Sequence, residues 1–403
     1  MNSHNPSAPG IGRLSELDAL RGIAAFLVLI QHARVMGLDP RPFDDPLLER
    51  GVHMLMHFSP LRVLEFGRAS VLFFFVLSGY VLTRALMRNG SPGLLAFAAQ
   101  RSIRLMVPVF ASVLLSAGLF ALVLGDAALL PADLRGRTLD IWHVAPGLRD
   151  VFRESALLLT ASDPVKLNPV LWSLVHEWRL TLLLPLVLLF RGRAWALLAL
   201  GCAGMALGAM GSGSENRVQL GPQFHSTVVS SLYFSLAIAS GAALAMAGPP
   251  PALTRDQRLA GGIAVLALFG LASDIAVYLA SVLLIVLAQQ PTGLRSLLRR
   301  APLVWLGHVS YSFYLVHVPV LAASMVLLHE TLPLWACLAV GVVASLAAAE
   351  AMHRLAEVPA RDLARWAERR LRASRPAASP QRRILDPLWA AEGGLFHRPD
   401  RPA

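Results

Sequence analysis

The sequence predicts an all-α, polytopic transmembrane helix bundle of about ten spans with both termini cytoplasmic. Three observations carry that reading. Of 403 residues, 55% are hydrophobic and only 15% charged, whereas a soluble domain carries about a quarter charged residues. The apolar residues fall in runs of membrane-spanning length, and the arginines gather at alternate ends of those runs. A chain with mean hydropathy +0.57 would expose large apolar patches to water, so a lipid bilayer is its expected solvent. The net charge of +11 is also what a nucleic-acid binder shows, but here it marks membrane topology instead of a basic stripe, and no nucleic-acid partner is expected.

The apolar runs lie at about 16–36, 67–88, 103–125, 169–190, 194–211, 226–247, 259–272, 274–289, 302–328 and 333–356. A span needs ~20 residues to cross a hydrocarbon core ~30 Å thick. The first run is expected to be a span and not a signal peptide, because Glu16 and Asp18 precede its apolar stretch where a basic segment would stand. With the N-terminus inside, the inner loops hold Arg88 and Arg101, Arg191 and Arg193, Arg255 and Arg258, and Arg295, Arg299 and Arg300. Of the short outer loops, one holds Arg217. The 125–168 loop, of mixed charge, is expected to face outward. The chain therefore divides into a flexible N-terminus (1–14), a transmembrane domain (15–360) and a basic, largely disordered cytoplasmic tail (361–403), whose Pro-, Ala-, Ser- and Arg-rich end cannot bury a core. There is no internal repeat and no glycine-rich phosphate loop.

Ionisable residues inside spans mark function or interior pairing. Arg21 and His32 are eleven residues apart, which places them within about 20° of one helix face and ~16 Å apart along the axis. Asp18, one turn before Arg21, is a candidate partner for it. Glu177, in the fourth run, falls within roughly 6 Å of His32 in depth, and is placed either to meet that imidazole or to pair for structure with Arg179 or another span. A carboxylate beside an imidazole orients it and raises its basicity. Arg101 and Arg104, at i, i+3 spacing, suit either phosphate binding or plain positive-inside anchoring. Ser310, Tyr311, Tyr314 and His317, followed by Pro319, place hydroxyls and an imidazole on one span, for a polar cavity or for interhelical hydrogen bonds. Cys202 and Cys337 have no zinc-ligand spacing, and His53 and His57 lack a carboxylate partner, so no metal site is expected.

These residues fall in a family pattern. Leu17-Asp18-Ala19-Leu20-Arg21-Gly22 leading to His32, Phe74-Phe75-Val76-Leu77-Ser78-Gly79-Tyr80, Arg101-x-x-Arg104, Trp172-Ser173-Leu174-x-x-Glu177, Ser310-Tyr311-x-x-Tyr314-Leu315-x-His317 and Glu357-Val358-Pro359 occur in that order. Together they resemble the motifs of the acyltransferase-3 family of integral membrane O-acyltransferases. The resemblance implies transfer of an acyl group, usually acetyl, from cytoplasmic acyl-CoA to a hydroxyl, often on an extracytoplasmic or lipid-linked glycan, in a bacterial inner membrane. It implies no bound cofactor: acyl-CoA is the donor substrate, its phosphates meeting Arg21, Arg101 and Arg104. His32 acts as general base or as acyl carrier, oriented by Glu177. Ser78, Tyr80, Tyr314 and His317 are candidate donors to the thioester oxygen, and Trp172 and Ser173 complete the pocket. The oligomeric state stays open.

The rival reading is a multispan transporter or permease that uses Arg21, His32 and Glu177 as a substrate or proton site. The sequence shows no inverted repeats and no paired broken helices to support it. A receptor or scaffold would need no interior His–Glu pair.

Overall fold

The computed structural model describes residues 14–37, 47, 67–89, 93–125, 134, 138–139, 141–156, 167–212, 224–271 and 273–373. His53, His57, Arg217, much of the 125–168 loop and the chain beyond 373 lie outside that set. The described residues are predominantly helical and contain no strand.

In chain order the helices are α1 (Ser15–Gly37), α2 (Gly67–Asn89), α3 (Leu94–Val123), the short α4 (Leu148–Ser155) and α5 (Leu171–Leu182), the last continued by a 3₁₀ segment (Leu184–Phe190). Then follow α6 (Ala194–Ser212), α7 (Phe224–Tyr233), α8 (Ser235–Met246), α9 (Arg255–Gly270), α10 (Asp274–Ala288) and α11 (Gly293–Leu298). The last are α12 (Ala301–Leu328) and α13 (Leu334–Met352), a π-helical turn (His353–Glu357), and α14 (Val358–Ala373).

Each of the ten apolar runs is helical, but fewer than ten meet the length and apolarity of a span on their own. Among the described residues six helices are long and apolar enough to cross a membrane, or up to eight if two bent pairs each count as one. The shortfall is geometric: α9 and α10, of 16 and 15 residues, rise only about 22–24 Å, against the ~30 Å a hydrocarbon core requires. Two of the runs are bent. The fourth run turns by 42° between Leu171–Leu182 and Leu184–Phe190, where Pro185 cannot continue the α-helical ladder. The sixth turns by 41° after Tyr233. α14 runs across residue 360 to Ala373.

Burial identifies the middle of the bundle. In α12, 83% of the most apolar stretch is buried, against 17% in α6. Thus α12 is enclosed by protein, while α6 turns Leu200, Leu207 and Met210 outward as a lipid-facing helix does. Helices α1, α3 and α13 pack around α12, and α8 and α10 pack against α2.

Two glycine contacts fix the closest approaches. A Cβ at Gly22 would stand 2.6 Å from Gly307 N, so α1 and α12 touch backbone to backbone beside Arg21. A Cβ at Gly241 would stand 1.8 Å from Val76 O, and one at Gly79 would stand 2.2 Å from Ile238 O. Small residues permit such contact between membrane helices, where packing replaces the hydrophobic drive.

Pro319 lies within α12 and has no N–H to give the carbonyl of Leu315, four residues back. Asn168, fully buried, fills that vacancy: its Nδ2 donates to Leu315 O at 2.7 Å. The peptide N–H groups of Leu167 and Asn168 are held in turn by the buried Glu154 carboxylate at 3.0–3.3 Å.

Candidate active site

A cavity of about 560 Å³ opens among α1, α2, α3, α5, α12 and the start of α14. On α2 its lining runs from Val71 to Arg88, roughly 25 Å along the axis. One side is rich in guanidinium groups: Arg21, Arg84, Arg88, Arg101, Arg104 and Arg361 line it together with only three carboxylates, Asp18, Glu177 and Glu357. The excess of positive charge suits a polyanion.

Arg21 is held on α12 by neutral acceptors. Its Nε donates to Ser310 Oγ at 2.8 Å and its Nη2 to Gly307 O at 2.9 Å, with Asp18 Oδ1 3.5 Å away on its own helix, the partner the spacing predicted. Arg101 is buried and committed: Nη2 donates to Glu177 Oε1 at 2.5 Å and Nε to Thr181 Oγ1 at 3.1 Å. Ser78 donates to the same carboxylate oxygen at 2.9 Å. Arg104 makes no hydrogen bond or ion pair among the described residues, and the charges acting on it are mostly positive, from Arg101, Arg21 and Arg361, with Glu357 opposing. It is therefore the cation with most to gain from an anionic ligand.

The expected pairing of Glu177 with His32 is not formed. Depth along the membrane normal places two residues at one level but says nothing about their direction around the helix axis. A buried carboxylate also gains more from a permanent cation than from a neutral ring. His32 meets His317 instead: Nδ1 of the first and Nε2 of the second are 2.8 Å apart. The ring centroids are 5.1 Å apart and the planes differ by 9°. Nitrogens can be that close at that centroid separation only when the rings lie edge to edge, nearly in one plane, so this is an in-line hydrogen bond.

Its direction follows from the second nitrogen. His317 Nδ1 is 3.2 Å from Phe313 O, and a carbonyl can only accept. So His317 carries its proton on Nδ1 and accepts at Nε2, His32 donates from Nδ1, and the lone pair of a neutral His32 is left on Nε2. His317 is completely buried while His32 stays partly accessible.

Between the arginines and this pair stand Phe74 and Tyr314, whose rings meet edge to face at 5.9 Å. Tyr314 is 5.8 Å from the His317 ring and shares a 2.7 Å hydrogen bond with Ser173. Of the residues singled out from sequence, Arg21, Ser78, Tyr80, Arg101, Arg104, Ser173, Glu177 and Tyr314 line the cavity. His32 and His317 lie just beyond it. Trp172 does not line it but packs on His176 and Phe234, with centroids 5.9 and 6.0 Å away. Missed were Arg84, which drew no reading, Arg88, which was read as an inner-loop positive charge, and Asn168, whose signal was the proline that strips Leu315 of its donor.

Glu357 reaches the cavity through the π-helical turn, with Ser312 and His353 bonded to its Oε2 at 2.8 and 3.0 Å. Such turns are rare and frequent at functional sites.

No curated protein and no solved structure matches the chain. A family model described as an acyltransferase domain matches residues 14–351, which includes every residue named for this site except His353, Glu357 and Arg361. The arginine-lined cavity reaches Tyr314, whose ring is 5.8 Å from that of His317. Six or more apolar helices make the protein a multi-pass membrane protein, and over most of its length the chain belongs to the acyltransferase-3 family of acyltransferases.

Proposed function

We propose that the protein transfers an acyl group, acetyl first among the candidates, from acyl-CoA to a hydroxyl of an extracytoplasmic or lipid-linked glycan in the plasma membrane. The observation that supports this most is the ~25 Å cavity, which carries arginines toward one end and approaches the His32–His317 pair at the other. In this reading Arg21, Arg104 and their neighbours take the donor's phosphates on the cytoplasmic side, and the pantetheine arm runs along α2 past Ser78 and Phe74. Arg101, already bound to Glu177, lends field more than new hydrogen bonds.

His32 Nε2 removes the acceptor hydroxyl proton as the oxygen attacks the thioester carbonyl. The C–O bond forms, the tetrahedral intermediate collapses with loss of the C–S bond, and the imidazolium returns the proton to the departing thiolate. His317 keeps the Nδ1 proton of His32 engaged, so the basic nitrogen is always Nε2, and Phe313 O fixes His317 in the accepting tautomer. Tyr314, whose ring is 5.8 Å from that of His317, and its partner Ser173 line the cavity and suit the thioester oxygen.

The test is label transfer from acetyl-CoA in membranes holding wild type or His32→Ala at matched abundance. Label in the glycan fraction that vanishes with His32→Ala supports the reading. Undiminished transfer by the variant overturns the role of His32.

A further inference from the structure

Arg84 is the cavity's most deliberately presented cation outside the family motifs. Its Nη1 donates to Tyr80 Oη at 3.0 Å and lies 3.4 Å from Gln289 Oε1. Tyr80 Oη donates onward to Gln289 Oε1 at 3.1 Å, and the Arg84 guanidinium carbon is 6.0 Å from the Tyr80 ring centroid. Gln289 is itself oriented: Nε2 donates to Ile285 O at 2.8 Å, which turns Oε1 toward Tyr80 and Arg84.

Every one of these partners is neutral. Arg101 has Glu177 and Arg21 has Asp18, but among the described residues no carboxylate pairs with Arg84, and only Nη1 of its guanidinium is engaged. Nε and Nη2 remain to donate. One turn on, Arg88 also lines the cavity and makes no hydrogen bond or ion pair among the described residues. Like charges at i, i+4 repel on a helix, so an unliganded protein holds two cations in an arrangement that an anion would relieve.

We propose that Arg84, clamped by Tyr80 and Gln289 and assisted by Arg88, is a second phosphate-binding station of this cavity, separate from Arg104 on α3. Gln289, on the chain just past α10, is its positioning residue. The inference rests on the acyl-CoA reading above: a donor with two separated phosphate groups needs two stations, and α2 and α3 each supply one with no carboxylate bonded to it.

The test is equilibrium binding by the full-length protein in zwitterionic nanodiscs, comparing coenzyme A with pantetheine, which has the same arm and no phosphate. Arg84→Ala is expected to weaken coenzyme A about tenfold to a hundredfold, the range for losing a hydrogen bond to a charged group, and to leave pantetheine unchanged. Gln289→Leu should weaken coenzyme A by less, again sparing pantetheine.

A merely structural role would move both ligands together, and that result overturns the proposal, as does wild-type affinity in Arg84→Ala. Adding phosphatidic acid to the nanodiscs separates a lipid source of the phosphate. If Arg84→Ala alters retention of that lipid but not coenzyme A affinity, the station belongs to the membrane and the proposal fails. Wild-type protein that binds no coenzyme A would instead overturn the donor reading itself.

Discussion

His32 Nδ1 and His317 Nε2 lie 2.8 Å apart in nearly coplanar rings, and the carbonyl of Phe313 closes the chain behind them. The arrangement resembles a catalytic triad in which a backbone carbonyl replaces the carboxylate. It predicts an effect of His317 on the chemical step and not on donor binding. His317→Ala should lower kcat by about 10- to 100-fold, less than the 10²–10⁴-fold span of general base catalysis, with coenzyme A affinity unchanged. His317→Gln, which keeps an acceptor, should recover part of the rate. Steady-state transfer with both variants checks it, and an equal loss of coenzyme A affinity would reassign His317 to structure.

Glu177 belongs to stability as much as to the site. It neutralises Arg101, which is 7% exposed, and anchors Ser78. Glu177→Gln leaves a buried guanidinium without its counter-charge, a loss of about 3–5 kcal/mol. The variant should accumulate poorly and melt earlier in detergent. Adding Arg101→Met to Glu177→Leu removes both charges and should restore much of the thermal stability. If Glu177→Gln melts like wild type, the pair is not what holds α3 to α5.

Helix positions were legible because runs of apolar residues report burial in lipid directly, and the motif residues of α1, α3 and α12 could be placed on their elements. Span number was less legible, since hydropathy marks apolarity while a span also needs length, and among the described residues six to eight helical units have both. The site was legible as a set of residues but not as a set of pairs. Sequence spacing gives depth, and Glu177 and His32 were matched in depth. Which neighbour each meets depends on how α2, α3 and α12 are rotated about their axes, and that is decided by contacts such as Gly22 on Gly307 and Gly241 on Val76, which no single segment encodes.

Asn168 and Pro319 form a coupled pair that a double-mutant cycle can expose. Asn168→Ala strands the buried carbonyl of Leu315 and should cost about 1–3 kcal/mol. Pro319→Ala supplies residue 319 with an N–H that can bond Leu315 O along the helix. In the Asn168→Ala background it should therefore recover stability that it does not add to wild type. Additive effects of the two substitutions, read from thermal midpoints, would show that Leu315 O is satisfied some other way.

Gly241 tests the seat of the site at a distance from it. The Val76 carbonyl occupies the place its Cβ would take, and the next turn of α2 carries Ser78 and Tyr80. Gly241→Ala must push α8 and α2 apart, at a cost of about 1–3 kcal/mol for overpacking. That movement would draw Ser78 from Glu177 and Tyr80 from Gln289, so transfer should fall further than accumulation does. Gly262→Ala, where a Cβ meets nothing within 4 Å, is the matched control and should behave as wild type or slightly better, because alanine favours a helix over glycine. Comparing specific activity per folded protein for the two variants decides the matter. Equal activities would mean that the α2–α8 contact sets stability alone and leaves the hydroxyls of the cavity where they are.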